Sequence, residues 1–372
     1  MPNSKYSLYG SPDFDQRVDA DMEKIVKAIQ KDPEGSHVKA IVLLGGYGRG
    51  EGTPLSVNGV EMPFNDYDLV VVSSHYSRGF TQRIRQLEPL LTEQLGIPVD
   101  LYPHTFYTLK RAERSLLNYE MQRGHRVIWG SSKVLSMMPE ISLKNLSLSE
   151  GTRLLMNRGK LLLDMDCRLS SSVALSDEEA IHFRKFLWKN HLAFGDCLLL
   201  ANNAYDVLYQ VKEKVIDKFR ATEQVPEVDW MISAYRRAIA FKQKGDLEIL
   251  NGTALMEEWR YTKEYWLKFF LWFESMRLGV SLRSSEDYCE KIALKETKQL
   301  TSLLRNFRLL GSRMAYPSVD WVWIHPRNRL YAALHLLLRG CTNEEMLTSL
   351  LGAEGGMQSW IQQFYAMRLR LS

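Results

Sequence analysis

The sequence has few cysteines, and they lie far apart. Cys167, Cys197, Cys289 and Cys341 are scattered over 372 residues and form no Cys-x-x-Cys pair. This spacing argues against a structural zinc site and against a disulfide framework. The first ten residues are polar and lack the apolar core of a secretory signal. We therefore expect a cytoplasmic protein.

The chain also lacks a long apolar run and a strong excess of charge of either sign. Its richest apolar stretch, residues 266–273, is interrupted by Lys268, whereas a membrane span needs about 18 apolar residues. Lys and Arg number 48 and Asp and Glu 44, with the slight basic excess beyond residue 150. Nucleic-acid-binding proteins often carry a larger excess. The sequence predicts no membrane association and leaves the choice between a small anionic substrate and a nucleic acid open.

Length and apolar spacing predict two domains. A chain of 372 residues is too long for one small core. Residues 1–138 alternate strand and helix patterns, which indicates an α/β or α+β domain with a small mixed sheet. From residue 139 to 372 the apolar spacing is helical almost throughout, which predicts a large all-α domain.

The periodicity also predicts individual elements. Expected strands cover residues 38–44, 69–72, 97–102 and 126–129, the last of them at a sheet edge. Expected helices in the first domain cover residues 15–31, 80–95 and 110–122. Those in the second cover residues 149–169, 177–215 with a break near Gly195, 228–244, 254–277, 286–310, 327–338, 343–351 and 357–369. Alternation over residues 321–324 predicts a strand-like segment, and Lys242 and Lys244 are expected on a solvated helix face.

A glycine-rich segment directly follows the first expected strand. Five glycines fall within the eight residues from Gly45 to Gly52. Glycine permits a positive φ and close approach of the backbone to a ligand, and a run of exposed N–H groups forms an anion-binding concavity. Arg49 could add a cation for a phosphate oxygen. The segment matches neither a P-loop nor Gly-x-Gly-x-x-Gly, and a glycine-rich turn without a ligand is equally compatible with it.

Three acidic residues follow on the next two expected strands. Asp66 and Asp68 stand at i and i+2, so their side chains point to the same face of a strand. Two adjacent carboxylates repel each other unless a cation lies between them, and such hard oxygen ligands suit Mg²⁺. Asp100 interrupts an apolar strand, where a carboxylate is unfavourable unless it is paired or metal-bound. A solvated turn could explain the first pair alone, but the three acids together indicate a two-metal site.

This order of motifs resembles the DNA polymerase β-type nucleotidyltransferase superfamily, in particular its small bacterial and aminoglycoside nucleotidyltransferase-like members. Gly45-Gly46 matches the superfamily's Gly-Gly signature, and Arg49-Gly50 matches an Arg-Gly that often follows it. Asp66, Asp68 and Asp100 match its three metal-binding acids. The motifs cover residues 36–105, and the helical remainder is similar in general architecture.

One feature departs from that pattern. Nineteen residues separate Gly46 from Asp66, more than the superfamily usually has. Asn58-Gly59 is a hairpin-turn signal, so we predict an inserted hairpin over residues 54–63. The insertion leaves the three acids in place but changes the setting of the glycine segment.

The resemblance implies a Mg²⁺-dependent enzyme of the EC 2.7.7 type that transfers NMP from an NTP, such as ATP, to a hydroxyl acceptor. It implies that Asp66 and Asp68 hold two Mg²⁺ ions and that Asp100 completes the site and activates the acceptor hydroxyl. Gly45, Gly46 and Arg49 would bind the triphosphate.

The acceptor is left unidentified. A small molecule bound by the helical domain is favoured over RNA or protein. Transfer to a tRNA or to a protein, as in toxin or modifying members, is one alternative. Another is a non-catalytic nucleotide-binding regulatory module, although such a module would be expected to have lost one of the acids. The sequence leaves open the preferred NTP, the oligomeric state, and whether Glu120 or His104 assists catalysis.

Overall fold

Four strands near the start of the chain form one mixed sheet in the computed structural model. They are β1 (Val38–Leu43), β4 (Tyr67–Ser73), β5 (Val99–Thr105) and β6 (Arg126–Gly130). Their order is β5-β4-β1-β6; β4 and β5 are parallel, and β1 is antiparallel to both of its neighbours. The predicted small mixed sheet, its four strands and the edge position of the last strand are confirmed.

The inserted hairpin is present. Strands β2 (Thr53–Val57) and β3 (Val60–Phe64) pair antiparallel in a sheet of their own. Asn58 and Gly59 turn between them with φ of 52° and 78°, a region that asparagine and glycine tolerate best.

Helices cover both faces of the mixed sheet. Helices α1 (Pro12–Lys31) and α3 (Arg78–Leu95) pack their apolar sides on one face. The other face is closed by α4 (Phe106–Lys110), α5 (Leu116–Arg123) and the segment that follows β6. The single helix predicted over residues 110–122 is wrong, because Ser115 accepts a hydrogen bond from the Asn118 N–H and starts a new helix.

The rest of the chain is helical, as predicted. The helices are α6 (Ser149–Leu169), α7 (Asp177–Ala201), α8 (Tyr209–Val215), α9 (Val228–Lys244), α10 (Gly252–Leu278), α11 (Ser285–Lys295), α12 (Leu300–Leu310), α13 (Arg327–Leu338), α14 (Glu344–Leu351) and α15 (Met357–Leu371). No described helix has the length and apolar character that crossing a membrane requires.

Two details of the helical prediction are wrong. The span predicted over residues 177–215 is divided between α7 and α8, but not at Gly195: α7 continues to Ala201, and a Cβ at Gly195 would stand 2.3 Å from the Tyr235 ring. This glycine therefore permits close packing rather than a turn. The helix predicted over residues 286–310 divides into α11 and α12, and between them the Gln299 N–H donates to the Trp323 carbonyl at 2.8 Å.

The prediction of a strand-like segment over residues 321–324 is also wrong. Val319–Val322 is a 3₁₀ helix. The Asn306 side-chain amide lies 3.2 Å from the Val322 carbonyl and 3.0 Å from that of Ile324. Because the buried Asn306 amide donates hydrogen bonds to these two carbonyls, they need no neighbouring strand.

The structure describes residues 4–75, 78–170, 174–221, 225–245, 252–311, 318–340 and 343–371. The chain divides into two compact units. The first comprises Met1–Ser147, Leu199–Lys218 and Arg236–Glu248, and the second Leu148–Leu198, Phe219–Tyr235 and Ile249–Ser372. Apolar spacing predicted a single division, between residues 138 and 139. In the structure, the first unit also includes two short segments from the helical part of the chain.

Candidate active site

The three acidic residues meet at one end of the parallel strand pair. Asp68 and Asp100 are register partners on β4 and β5, and Asp66 immediately precedes β4. One carboxylate oxygen from each lies within 4.8 Å of the others. Alternation along both strands keeps Leu69 and Leu101 in the core while the acids face the opposite side. The predicted convergence of the acids is thus the arrangement that the structure has.

The environment of Asp68 disfavours its charged form. Asp66 and Asp68 are half-buried and Asp100 is exposed. Burial raises the pKa of Asp68 to about 7, and the neighbouring charges of Asp66 and Asp100 add to the rise. Two groups oppose it: the Tyr102 hydroxyl, which donates to Asp68 Oδ1 at 3.2 Å, and the Lys242 ammonium.

These residues fit a divalent metal ion. Within the described part of the chain, Asp66, Asp68 and Asp100 form the one group of three potential ligands close enough to share an ion. Part of the rise in the pKa of Asp68, after the part caused by burial, comes from repulsion by the charges of Asp66 and Asp100. A hard cation with oxygen ligands, such as Mg²⁺, would relieve that repulsion.

Gly45 lies against the acid cluster. Its φ is +61°, and a Cβ there would stand 2.8 Å from Asp68 Oδ2. The adjacent Leu44 N–H donates to the Asp68 carbonyl oxygen at 2.8 Å. At Gly46, a Cβ would stand 3.0 Å from the Glu51 carbonyl oxygen. Both glycines therefore permit close approach, and the segment in which we expected a run of exposed N–H groups forms a short helix, α2 (Gly45–Arg49).

Arg49 is engaged with two acids. Its side chain is only 6% exposed; Nε lies 3.6 Å from a Glu51 carboxylate oxygen and Nη1 lies 3.8 Å from one of Glu120. The Tyr209 ring stands 5.9 Å from the guanidinium carbon. Contact with a phosphate, which the sequence predicted for Arg49, stays a prediction, and the observed partners indicate a role in positioning Glu51 and Glu120.

Glu51 was missed by the sequence analysis. It is 2% exposed, and its Oε1 accepts the Tyr209 N–H at 2.8 Å and the Gln210 N–H at 3.4 Å. It thus caps the start of α8, a helix about 160 residues further along the chain. A charged residue within a run of glycines was the available signal, but no sequence pattern linked it to α8.

Glu120 and His104, whose part in catalysis the sequence left open, have different surroundings. Glu120 accepts a hydrogen bond from the Tyr205 hydroxyl and faces Arg49, so it belongs to the same buried group as Glu51. His104 lies 3.3 Å from the Thr108 hydroxyl, and burial lowers the pKa of its imidazole. A neutral histidine at that position adds no cation to the acid cluster.

Lys212 on α8 and Lys242 on α9 add positive charge near Glu51, a role that the sequence analysis also missed. Lys212 is 1% exposed, with Nζ 4.0 Å and 4.3 Å from the ring centroids of Tyr205 and Tyr209. Lys242, predicted on a solvated face, places Nζ 5.6 Å from the Tyr209 ring and lowers the pKa values of Asp68 and Glu51 by its charge.

The inserted hairpin holds the end of α9. The Thr53 hydroxyl donates to the Lys242 carbonyl oxygen. Gly245 has a φ of +69°, and a Cβ there would stand 2.3 Å from the Pro54 carbonyl oxygen. Phe64 and Phe241 meet edge to face, with centroids 5.9 Å apart. The hairpin thus fixes the backbone that carries Lys242.

No family model matches the chain, and no curated protein matches it. A solved structure of spectinomycin adenyltransferase AAD(9) from Enterococcus faecialis, with ATP and spectinomycin, is similar at a TM-score of 0.40 and 11% identity. The similarity covers 68% of this chain and 98% of that one. A TM-score this low does not establish a shared fold, so a function has to be argued from the site itself.

Proposed function

We propose that this protein is a metal-dependent nucleotidyltransferase of the DNA polymerase β-type superfamily, which transfers NMP from an NTP to a hydroxyl of a small-molecule acceptor. The observation that carries the proposal is the convergence of Asp66 and Asp68, at the start of β4, with Asp100 on β5, where one carboxylate oxygen of each lies within 4.8 Å of the others. Like charges at that separation favour a bound cation, and phosphoryl-type transfers depend mostly on positioning and charge neutralisation.

Asp66 and Asp68 would hold two Mg²⁺ ions, with Asp100 completing the set. When bound, the ions neutralise charge on the phosphates and lower the pKa of the acceptor hydroxyl. Asp100 is the most exposed of the three acids, which supports a role in which it would meet the acceptor and take its proton. The acceptor oxygen forms a bond to the α-phosphorus, the bond from that phosphorus to the leaving oxygen breaks, and pyrophosphate departs.

Gly45 and Gly46 would accommodate the triphosphate. Neither carries a side chain between the backbone and the acid cluster, and a Cβ at Gly45 would stand 2.8 Å from Asp68 Oδ2. Because Arg49 is bound to Glu51 and Glu120, we assign it first to positioning those acids and second to the phosphates.

The test is transfer of label from each NTP, labelled on its α-phosphate, with Mg²⁺ and a cell extract as the source of acceptors. Label in the small-molecule fraction is expected. Label in RNA or protein would keep nucleotidyl transfer but contradict the small-molecule acceptor. Label in no fraction, with all four nucleotides and with Mn²⁺ as well, would contradict the enzyme and favour a binding module.

Calorimetry with an NTP and Mg²⁺ checks the metal site without an acceptor. Binding should be lost in Asp66→Asn/Asp68→Asn and retained in Glu93→Gln, which alters an exposed acid on α3. Equal binding by wild type and the double variant would rule out this metal site.

A further inference from the structure

Three arginines from three helices of the second unit line one cavity. Arg153 lies on α6, Arg327 is the first residue of α13, and Arg368 lies near the end of α15. The cavity has a volume of about 140 Å³, and Met156 and Leu330 supply apolar parts of its wall.

The charges of Arg153 and Arg327 act on the same two neighbouring side chains, His325 and Tyr331. Burial lowers the pKa of His325 to about 4, with further lowering by Arg327, Arg305 and Arg153. Burial raises the pKa of Tyr331 to about 12, and Arg327 and Arg153 oppose that rise. His325 Nδ1 accepts the Arg327 N–H at 3.1 Å, so its ring adds a neutral group and no positive charge.

The partners of two of these arginines are neutral. Arg327 donates through Nε and Nη2 to the Leu371 carbonyl oxygen, at 3.3 and 2.9 Å. Arg368 donates to Asn157 Oδ1 at 3.4 Å. Across the described residues, neither arginine forms an ion pair with a carboxylate.

The third arginine is paired with an acid. Arg153 pairs with Glu150 one turn earlier on α6, at 2.8 Å. Arg327 stands at the start of α13, where the helix dipole is already positive and disfavours a cation. The guanidinium groups of Arg327 and Arg368, which form no ion pair across the described residues, therefore favour the entry of an anion.

We propose that this cavity is a binding site for a phosphate monoester. The planar guanidinium groups of Arg327 and Arg368 would bind the phosphate oxygens, while Met156 and Leu330 would contact the organic group. The site lies wholly within the second unit and uses none of Asp66, Asp68 or Asp100. It is therefore a ligand site separate from the proposed nucleotidyl transfer and does not depend on it.

The test is binding of phenyl phosphate and inorganic phosphate to the full chain, by calorimetry and thermal unfolding. Saturable binding is expected, tighter for phenyl phosphate because it adds apolar contact. Arg327→Gln/Arg368→Gln should weaken it on the order of ten- to a hundredfold per guanidinium, since each loses a charge-assisted hydrogen bond. Arg308→Gln, an exposed arginine of α12 outside the cavity, should bind as wild type does.

Three outcomes would overturn the proposal. One is unchanged binding by the double arginine variant, and another is equal stabilisation by sodium chloride at matched ionic strength. The third is loss of binding in Asp66→Asn/Asp68→Asn alone, which would assign the phosphate to the acid cluster. If the double arginine variant does not fold, binding by Arg368→Gln is measured instead, because the hydrogen bond of that side chain to Asn157 is long, at 3.4 Å, and its loss should leave the fold intact.

Discussion

Two charged clusters in the first unit balance their charges in opposite ways. The acid cluster, Asp66, Asp68 and Asp100, brings three like charges within 4.8 Å of one another and leaves Asp100 exposed. The mixed cluster, Arg49, Glu51 and Glu120, holds a guanidinium between two carboxylates, with Arg49 and Glu51 almost fully buried.

The difference is between a cluster of like charges, which a bound cation would stabilise, and a cluster that carries its own countercharge. The mixed cluster also adds backbone hydrogen bonds at the start of α8. We therefore propose metal and substrate binding at the acid cluster and infer that the mixed cluster positions α8.

The largest expected effect comes from removing charge from the acid cluster. Asp66→Asn/Asp68→Asn should reduce NMP transfer roughly a thousandfold or more, because metal-dependent charge stabilisation contributes several kcal/mol. Without Mg²⁺ the same variant should unfold at an equal or higher temperature, since repulsion is removed. A large loss of stability in the absence of Mg²⁺ would show that the cluster is structural.

Breaking the mixed cluster should instead reduce the stability of the protein. Arg49→Met leaves Glu51 buried beside fewer cations, which should lower the free energy of unfolding by about 3 kcal/mol. Urea unfolding measures this, with the exposed Arg114→Met as the matched control. Arg49→Lys should lose less of the free energy of unfolding than Arg49→Met. If Arg49→Met is as stable as the control, Arg49 does not position the two acids.

The acid cluster should also make stability depend on pH. The pKa of Asp68 is raised from 3.8 to about 7, so the folded chain binds this proton more tightly than the unfolded chain does. The free energy of unfolding without Mg²⁺ should therefore fall as pH rises from about 4 to 7. Saturating Mg²⁺ should flatten that decline, and Asp68→Asn should lack it. Identical pH profiles for wild type and Asp68→Asn would contradict this assignment.

The smallest expected effect concerns the Tyr102 hydroxyl. Its hydrogen bond to Asp68 lowers the pKa of that carboxyl, so Tyr102→Phe should raise the pH midpoint of Mg²⁺ binding by about half a unit. At pH 8, where Asp68 is ionised in both proteins, the affinities should agree within about threefold. A tenfold weakening at pH 8 would instead make Tyr102 part of the binding site.

The acid cluster could be predicted from the sequence because its geometry is local. Strand alternation fixes the shared face of Asp66 and Asp68, and the parallel pairing of two consecutive strands brings Asp100 beside them. The hairpin was equally predictable, since Asn58-Gly59 encodes its own turn.

The mixed cluster could not be predicted in the same way. Glu51 meets the N–H of Tyr209, and Arg49 meets the Tyr209 ring, from segments far apart in the chain. Residue type and spacing do not say which distant helix returns to a strand end, so Lys242 was predicted on a solvated face. The same reason explains the wrong prediction at Gly195, which permits close packing of the Tyr235 ring and does not break α7.

The sequence by itself determined most of the elements, the hairpin and the meeting of three acids, because periodicity and turn chemistry act over a few residues. Only the tertiary structure decided that segments of α8 and α9 join the first unit, that Arg49 is held by two acids, and that three helices bring arginines to one cavity. Those arrangements depend on long-range packing, in which burial and charge pairing select partners that no local pattern specifies.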